Sequence, residues 1–250
     1  MHKPARLSGL VLLAGLMAGC ASTPVEKPVN GDSFHSNELA QSGPNRAANL
    51  AMRDNLDSLA LLLQKLYKRN PAEWKKTGAP DLQTAQGNVI DAIRNGTPLP
   101  GLPVNVRSVA ALPLAFNPAF SGDRAGTLIY GLGTMLVEVY GGHLQLYLIN
   151  GLDAQQLANA AHNIEVAAWM LANRTDAQGR VLLLSNEIGP DVRNLSFERE
   201  FGRMLSRLEL LAEMNNEKYR RSAIDYAQSM IAGPFLQFIP VSAVTAAIPR

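Results

Sequence analysis

Cysteine is nearly absent from this chain. A single one, Cys20, stands among 250 residues, so no intrachain disulfide, thiolate-only zinc site or iron–sulfur cluster can form. Charge is also sparse, at 18% of residues, and aromatics make up 6%. No Walker loop, no Gly-x-Gly-x-x-Gly fingerprint between a strand and a helix, no zincin motif and no Gly-x-Ser-x-Gly elbow occurs, so nucleotide, metalloprotease and α/β-hydrolase chemistry find no support. What is there is ordinary globular material, 47% hydrophobic, long enough to bury one core without metal or disulfide staples.

The start of the chain carries an address. His2, Lys3 and Arg6 precede an uncharged, mostly apolar run of twelve residues, Leu7 to Ala18, too short for a helix across a hydrocarbon core about 30 Å thick. That arrangement predicts an export signal. Its end, Leu16-Met17-Ala18-Gly19-Cys20 followed by Ala21-Ser22-Thr23-Pro24, resembles the lipobox of bacterial lipoproteins, with Met17 where that family more often has Leu. The resemblance implies cleavage before Cys20, a diacylglycerol thioether on its sulfur and a third acyl chain on its new amine. Several acyl chains, each methylene worth about 0.8 kcal/mol when buried, anchor stably where one does not. Ala21, in place of the Asp that marks inner-membrane retention in many enterobacterial relatives, implies the outer membrane.

Cleavage would also change the charge. The formal net charge of the whole chain is +2, and loss of residues 1–19 removes Lys3, Arg6 and no acid, leaving 21 basic against 21 acidic residues. With no basic excess and no basic run interleaved with aromatics, nucleic acid is not an expected partner.

Residues 20–45 hold Pro24, Pro28, Gly31, Gly43 and Pro44 among polar residues and read as an acylated cysteine plus flexible tether. The helical domain is expected over 46–232. Leu56, Leu59, Leu63 and Leu66 predict an amphipathic helix from Arg46 to Lys68, with Arg53 and Asp57 an i,i+4 pair. Asn70-Pro71 opens a short helical segment, and 81–94 another helix closed by Asn95-Gly96. Five prolines between 96 and 123 predict an irregular stretch, in which 104–109 could form a short strand.

Residues 125–140 are apolar on nearly every face, which predicts a central core helix in which Gly126, Gly131 and Gly133 allow close backbone approach. His143 to Ile149 alternates like a strand that could pair with 181–184. Asp153 with Gln156 marks the start of a helix whose stripe is Leu157, Ala161, Ile164, Ala168 and Leu171. Asn194 or Ser196 opens the last long helix, with a seam of Phe197, Phe201, Met204, Leu208 and Leu211, resuming beyond Asn215-Asn216 to Ile231. Residues 233–250 form an apolar tail expected to pack on the domain or a partner. The expected fold is mainly α, an irregular bundle of five or six helices with one small two-stranded hairpin.

Few residues suggest chemistry. Gly31-Asp32-Ser33-Phe34 resembles the first block of the Gly-Asp-Ser lipases and esterases. It lies in the tether, however, and His162 is the last histidine, so the Asp-x-x-His block of that group is missing. His162 and Glu165 are one helical turn apart, with Glu138 a third weak metal candidate; a solvated polar face is the simpler account. Leu128, Leu132, Met135 and Leu136 are the candidate lining of an apolar ligand site. No catalytic residue and no cofactor is expected.

The segments 117–124 and 194–199 resemble those of proteobacterial envelope lipoproteins with no assigned activity. The chain therefore reads as a lipid-anchored, periplasm-facing binding or scaffolding module of the envelope. Its expected partners are the membrane, through the lipid on Cys20, and an envelope protein. A carrier of a lipid or other apolar ligand and an envelope hydrolase are the alternatives.

Overall fold

The computed structural model describes residues 41–147 and 151–217, with Ile224. Cys20, Asp32-Ser33, His35, the helix beyond residue 217 up to Ile231 and the tail 233–250 lie outside the described residues, apart from Ile224 itself.

The first helix, α1, runs over Gly43–Arg69, three residues earlier than the apolar periodicity alone marks. Ser42 explains the difference, because its Oγ accepts the Asn45 N–H and caps the helix ahead of its first buried residue, Ala48. At about 1.5 Å per residue, α1 is about 40 Å long. Its stripe of Met52, Leu56, Leu59, Leu63 and Leu66 is buried as expected. The charged pair differs: Arg53 Nε meets Asp54 Oδ1 at 3.2 Å.

Two short helices and three long ones follow before the hairpin is complete. The single turn α2 covers Pro71–Lys75, and α3 covers Leu82–Asn95, capped by Asp81 through Thr84 N–H and closed by Gly96 at φ 64°. Residues 96–123 hold a 3-10 turn, Ser108–Ala110, and a second short helix, α4, at Ala111–Ala115. No strand forms at 104–109. Ser108 turns into the left-handed region (φ 54°) and donates its N–H to Thr134 Oγ1 at 2.7 Å, bending the chain where a strand would continue.

Helix α5, Arg124–Val139, is the core of the bundle, with thirteen of its sixteen residues buried. It packs on α1, α3, α4 and α6. Close approach depends on glycine: a Cβ on Gly133 would lie 2.5 Å from Ile93 Cδ1 of α3, and one on Gly131 3.0 Å from the Ser108 carbonyl oxygen. Among the described residues, no helix is long and apolar enough to cross a membrane.

Helix α6, Ala154–Asn173, begins where Asp153 caps Gln156 N–H, and packs extensively on α7, Ser196–Asn216. The seam Phe197, Phe201, Met204, Leu208 and Leu211 is buried throughout. Between these helices the hairpin forms at Glu187–Ile188 (β1) and Arg193–Asn194 (β2), antiparallel, with Glu187 opposite Asn194. The architecture is therefore mainly helical with one small two-stranded sheet, as the periodicity predicts.

The hairpin is not the pair the sequence suggests. The stretch 143–147 and the stretch 181–184 each turn to an asparagine of α1 instead of to one another. Asn49 donates from Nδ2 to the Leu146 carbonyl (3.0 Å) and accepts the Leu146 N–H on Oδ1 (2.7 Å), while Asn45 Nδ2 bonds the Tyr147 carbonyl. At the other end Asn70, which closes α1, makes the same two-bond pairing with Leu184, at 2.9 and 2.8 Å. Each side-chain amide takes the place of a neighbouring strand's peptide group. The two asparagines are 21 residues apart along a continuous helix, or about 30 Å, which keeps the two apolar runs from meeting.

Candidate functional site

The densest group of buried polar side chains lies where α5 begins. Asp123 and Arg124 open that helix immediately after the proline-rich stretch, and α1 and α2 bring Tyr67, Glu73 and Lys76 beside them. Tyr67, Glu73 and Arg124 are all buried.

Asp123 is the hub. Its Oδ1 accepts the Gly126 N–H at 2.9 Å as an N-cap, and its Oδ2 accepts the Tyr67 hydroxyl at 2.5 Å. Glu73 accepts the Arg124 N–H on Oε2 (2.7 Å) and pairs with Lys76 through Oε1 (2.6 Å). Lys76 also donates to the Gly122 carbonyl, tying α2 to the loop before α5. The Arg124 guanidinium reaches the other way, donating to the carbonyls of Ala115, Asn117, Pro118 and Phe120 at 2.6 to 3.0 Å. One side chain thus holds the end of α4 and the turn that follows it.

Burial shapes the electrostatics. Removal from water pushes the Asp123 carboxyl up to about 6; the Gly126 N–H and the Tyr67 hydroxyl oppose that rise, Glu73 adds to it and Lys76 opposes it. The Tyr67 hydroxyl is pushed far above its ordinary value by burial and by the Asp123 charge. Beside the cluster opens a cleft of about 240 Å³, with Lys76, Asn88 and Asp123 among apolar residues such as Leu99 and Leu102.

The chemistry available is proton storage and rigid positioning. Both Asp123 oxygens are engaged, and both Glu73 oxygens are engaged, so neither is placed as a free general base. Because the folded carboxyl titrates above its unfolded value of 3.8, folded protein holds the proton more tightly between about pH 4 and 6. Its contribution to stability is full below about pH 4 and is lost as pH rises through about 6, a swing of about 3 kcal/mol. Asp123→Asn keeps an acceptor for Gly126 and removes the charge. The difference in urea-unfolding free energy between variant and parent is expected to move in the variant's favour between pH 4 and 7. A difference independent of pH would show that Asp123 does not titrate in this window.

The residues singled out from the sequence fall elsewhere. Leu128, Leu132, Met135 and Leu136, the expected lining of an apolar ligand site, are packed in the hydrophobic core of the described residues. Their helix is covered on nearly every face. His162 and Glu165 do meet, Nδ1 to Oε2 at 3.7 Å, with both side chains more than 70% exposed. Glu138 instead meets Arg107 at 3.0 Å. Among the described residues no three potential metal ligands converge. His143 is exposed in the turn after α5, and Trp169 lies on the surface under Arg174.

No protein-family model matches the chain, and neither a curated protein nor a solved structure is significantly similar to it. Sequence reasoning missed the Asp123 cluster. An acid followed by an apolar helix is a readable cap signal, but nothing local to Tyr67 or Glu73 announces a partner some fifty residues on.

Proposed function

We propose that the chain is a lipid-anchored envelope protein, held by acyl chains on Cys20 at the outer membrane, whose helical body acts as a non-enzymatic binding or scaffolding module on the periplasmic side. The observation that carries this reading is the Leu16-Met17-Ala18-Gly19-Cys20 motif, which ends a short apolar run behind Lys3 and Arg6 and contains the one cysteine of the chain. The site at the start of α5 is compatible with it, since its buried carboxylates and guanidinium are spent on caps and loop carbonyls that stiffen the body. A stiff body on a lipid anchor suits tethering: the lipid fixes the place and the helical surface makes the contact.

The test is direct. Cys20→Ser is expected to abolish metabolic labelling with a radioactive fatty acid and to release the protein from the membrane fraction. Labelling at the parent level would overturn the anchor. Crosslinking in intact cells is then expected to trap an envelope protein on the parent chain.

A further inference from the structure

Helices α1 and α7 run antiparallel, so the chain enters and leaves the described body at one pole. Lys65, near the end of α1, donates to the Ser196 carbonyl at the start of α7 (3.1 Å) and stands over the Phe197 ring. Further along α7, Arg207 donates to the Asp54 carbonyl, Asn55 Oδ1 and Ser58 Oγ, well back along α1. The rest of α7, up to Asn216, continues that way by about 14 Å, towards Ser42, where α1 is capped. The start of α6 marks the same end: Ala158 lines one cleft with Ala212 and Glu213, and a little before Asp153 the Tyr147 carbonyl is held by Asn45 of α1. Leu184, Ile188 and Leu195, which are apolar and exposed, lie at the opposite pole, where Arg69 and Asn70 close α1.

Beyond α7 the sequence changes character. Residues 226–249 are the longest run of this chain without Asp, Glu, Lys or Arg, and they include Phe235, Leu236, Phe238 and Ile239. We infer that this segment binds the lipid surface of the membrane that carries the anchor. The inference rests on the anchor proposed above, which ties the start of α1 to a bilayer through 22 residues, at most about 75 Å of chain. The segment follows the helix that ends at that same pole, so the bilayer is the apolar medium nearest to it. Large apolar side chains leave water for the acyl boundary, while Gln237, Ser242 and Thr245 find partners among the headgroups. Pro234, Pro240 and Pro249 interrupt the run, so contact with one leaflet suits it better than a spanning helix. Leu210 and Met214, exposed in the last two turns of α7, extend the apolar surface onto the body. The exposed apolar residues beside the hairpin are a poorer match, since they lie the length of α7, about 30 Å, from where the segment starts. Tether and segment together would turn the hairpin end of the body away from the bilayer.

The test uses the full-length chain carrying Cys20→Ser, which has no acyl chain of its own and leaves an introduced cysteine as its sole thiol. A solvent-sensitive dye is attached through Ala243→Cys, or through Val192→Cys, an exposed position in the hairpin. Vesicles of phosphatidylethanolamine and phosphatidylglycerol are added, with or without a nitroxide-bearing phospholipid. The dye at 243 is expected to lose at least half of its emission to the nitroxide lipid, and the dye at 192 almost none. Phe235→Asp/Phe238→Asp is expected to abolish the quenching at 243 with an unchanged circular dichroism spectrum. Weak and equal quenching at the two positions, or quenching at 243 undiminished by the two aspartates, would overturn the lipid contact. Emission at 243 that is blue-shifted before vesicles are added, and insensitive to them, would overturn it in favour of packing on the body, or of a second copy if the shift grows with protein concentration. Acyl labelling of Cys20 in the parent chain is a separate readout, so failure of the anchor and failure of the segment are distinguishable.

Discussion

Arg124→Met is expected to destabilise the protein by about 3 kcal/mol, read as the shift in urea-unfolding free energy at pH 7. The methionine keeps much of the stem's packing but removes the donors. Arg124 is buried and donates to four carbonyls in the six residues from Ala115 to Phe120, and no carboxylate lies within ion-pairing distance of it among the described residues. The partial charges of those carbonyls take the role of a counter-ion. When the guanidinium goes, Asn117 and Pro118 lie at the surface and water can serve their carbonyls, whereas Ala115 is buried and its carbonyl is left without that donor. That difference sets the estimate below the sum of four charge-assisted bonds. Arg124→Lys should recover only part of the loss, because one ammonium cannot reach carbonyls spread around a turn as a planar fork does. A loss under about 1 kcal/mol for the methionine variant would mean that the turn holds its shape without the clamp.

Gly126→Ala is expected to destabilise by about 2 kcal/mol, against the usual sign. Replacing glycine by alanine inside a helix ordinarily gains up to about 1 kcal/mol, since alanine loses less backbone freedom on folding. Here a Cβ would stand 2.1 Å from Asp123 Oδ2 and 2.9 Å from the Tyr67 hydroxyl oxygen. The carboxylate must swing away, which breaks the cap on α5 and leaves the Tyr67 hydroxyl buried without its acceptor. Gly87→Ala in α3 is the control, because nothing lies within 4 Å of its Cβ position. Thermal melts of the two variants should move in opposite directions. Stabilisation of both would show that the contact around Asp123 yields without cost.

Helix ends were legible because their signals are local. Asp81 with Gly96 and Asp153 with Gln156 each place an acceptor or a left-handed glycine within a turn of the apolar stripe, and each forms the predicted terminus. The glycines of α5 were legible for a related reason, since only a helix in close contact on several sides gains from so many of them. Pairing partners were not legible. The alternation at 143–147 does place Leu146 inward, but alternation says only which side is buried, and Asn49 supplies the hydrogen bonds from 97 residues away. Nor could the cluster around Asp123 be read, since Tyr67, Glu73 and Arg124 each have an unremarkable local context.

The sequence by itself determined the helical class, the main helix ends and the choice of α5 as the core element, because periodicity, caps and apolarity act over one or two turns of chain. Only the tertiary structure decided that Asn49 and Asn70 stand in for strands and that Arg124 clamps a loop. Each of these depends on buried or neighbouring polar groups finding one another across tens of residues. That matching is settled by how the helices pack, and the hydrophobic pattern that drives the packing does not encode it.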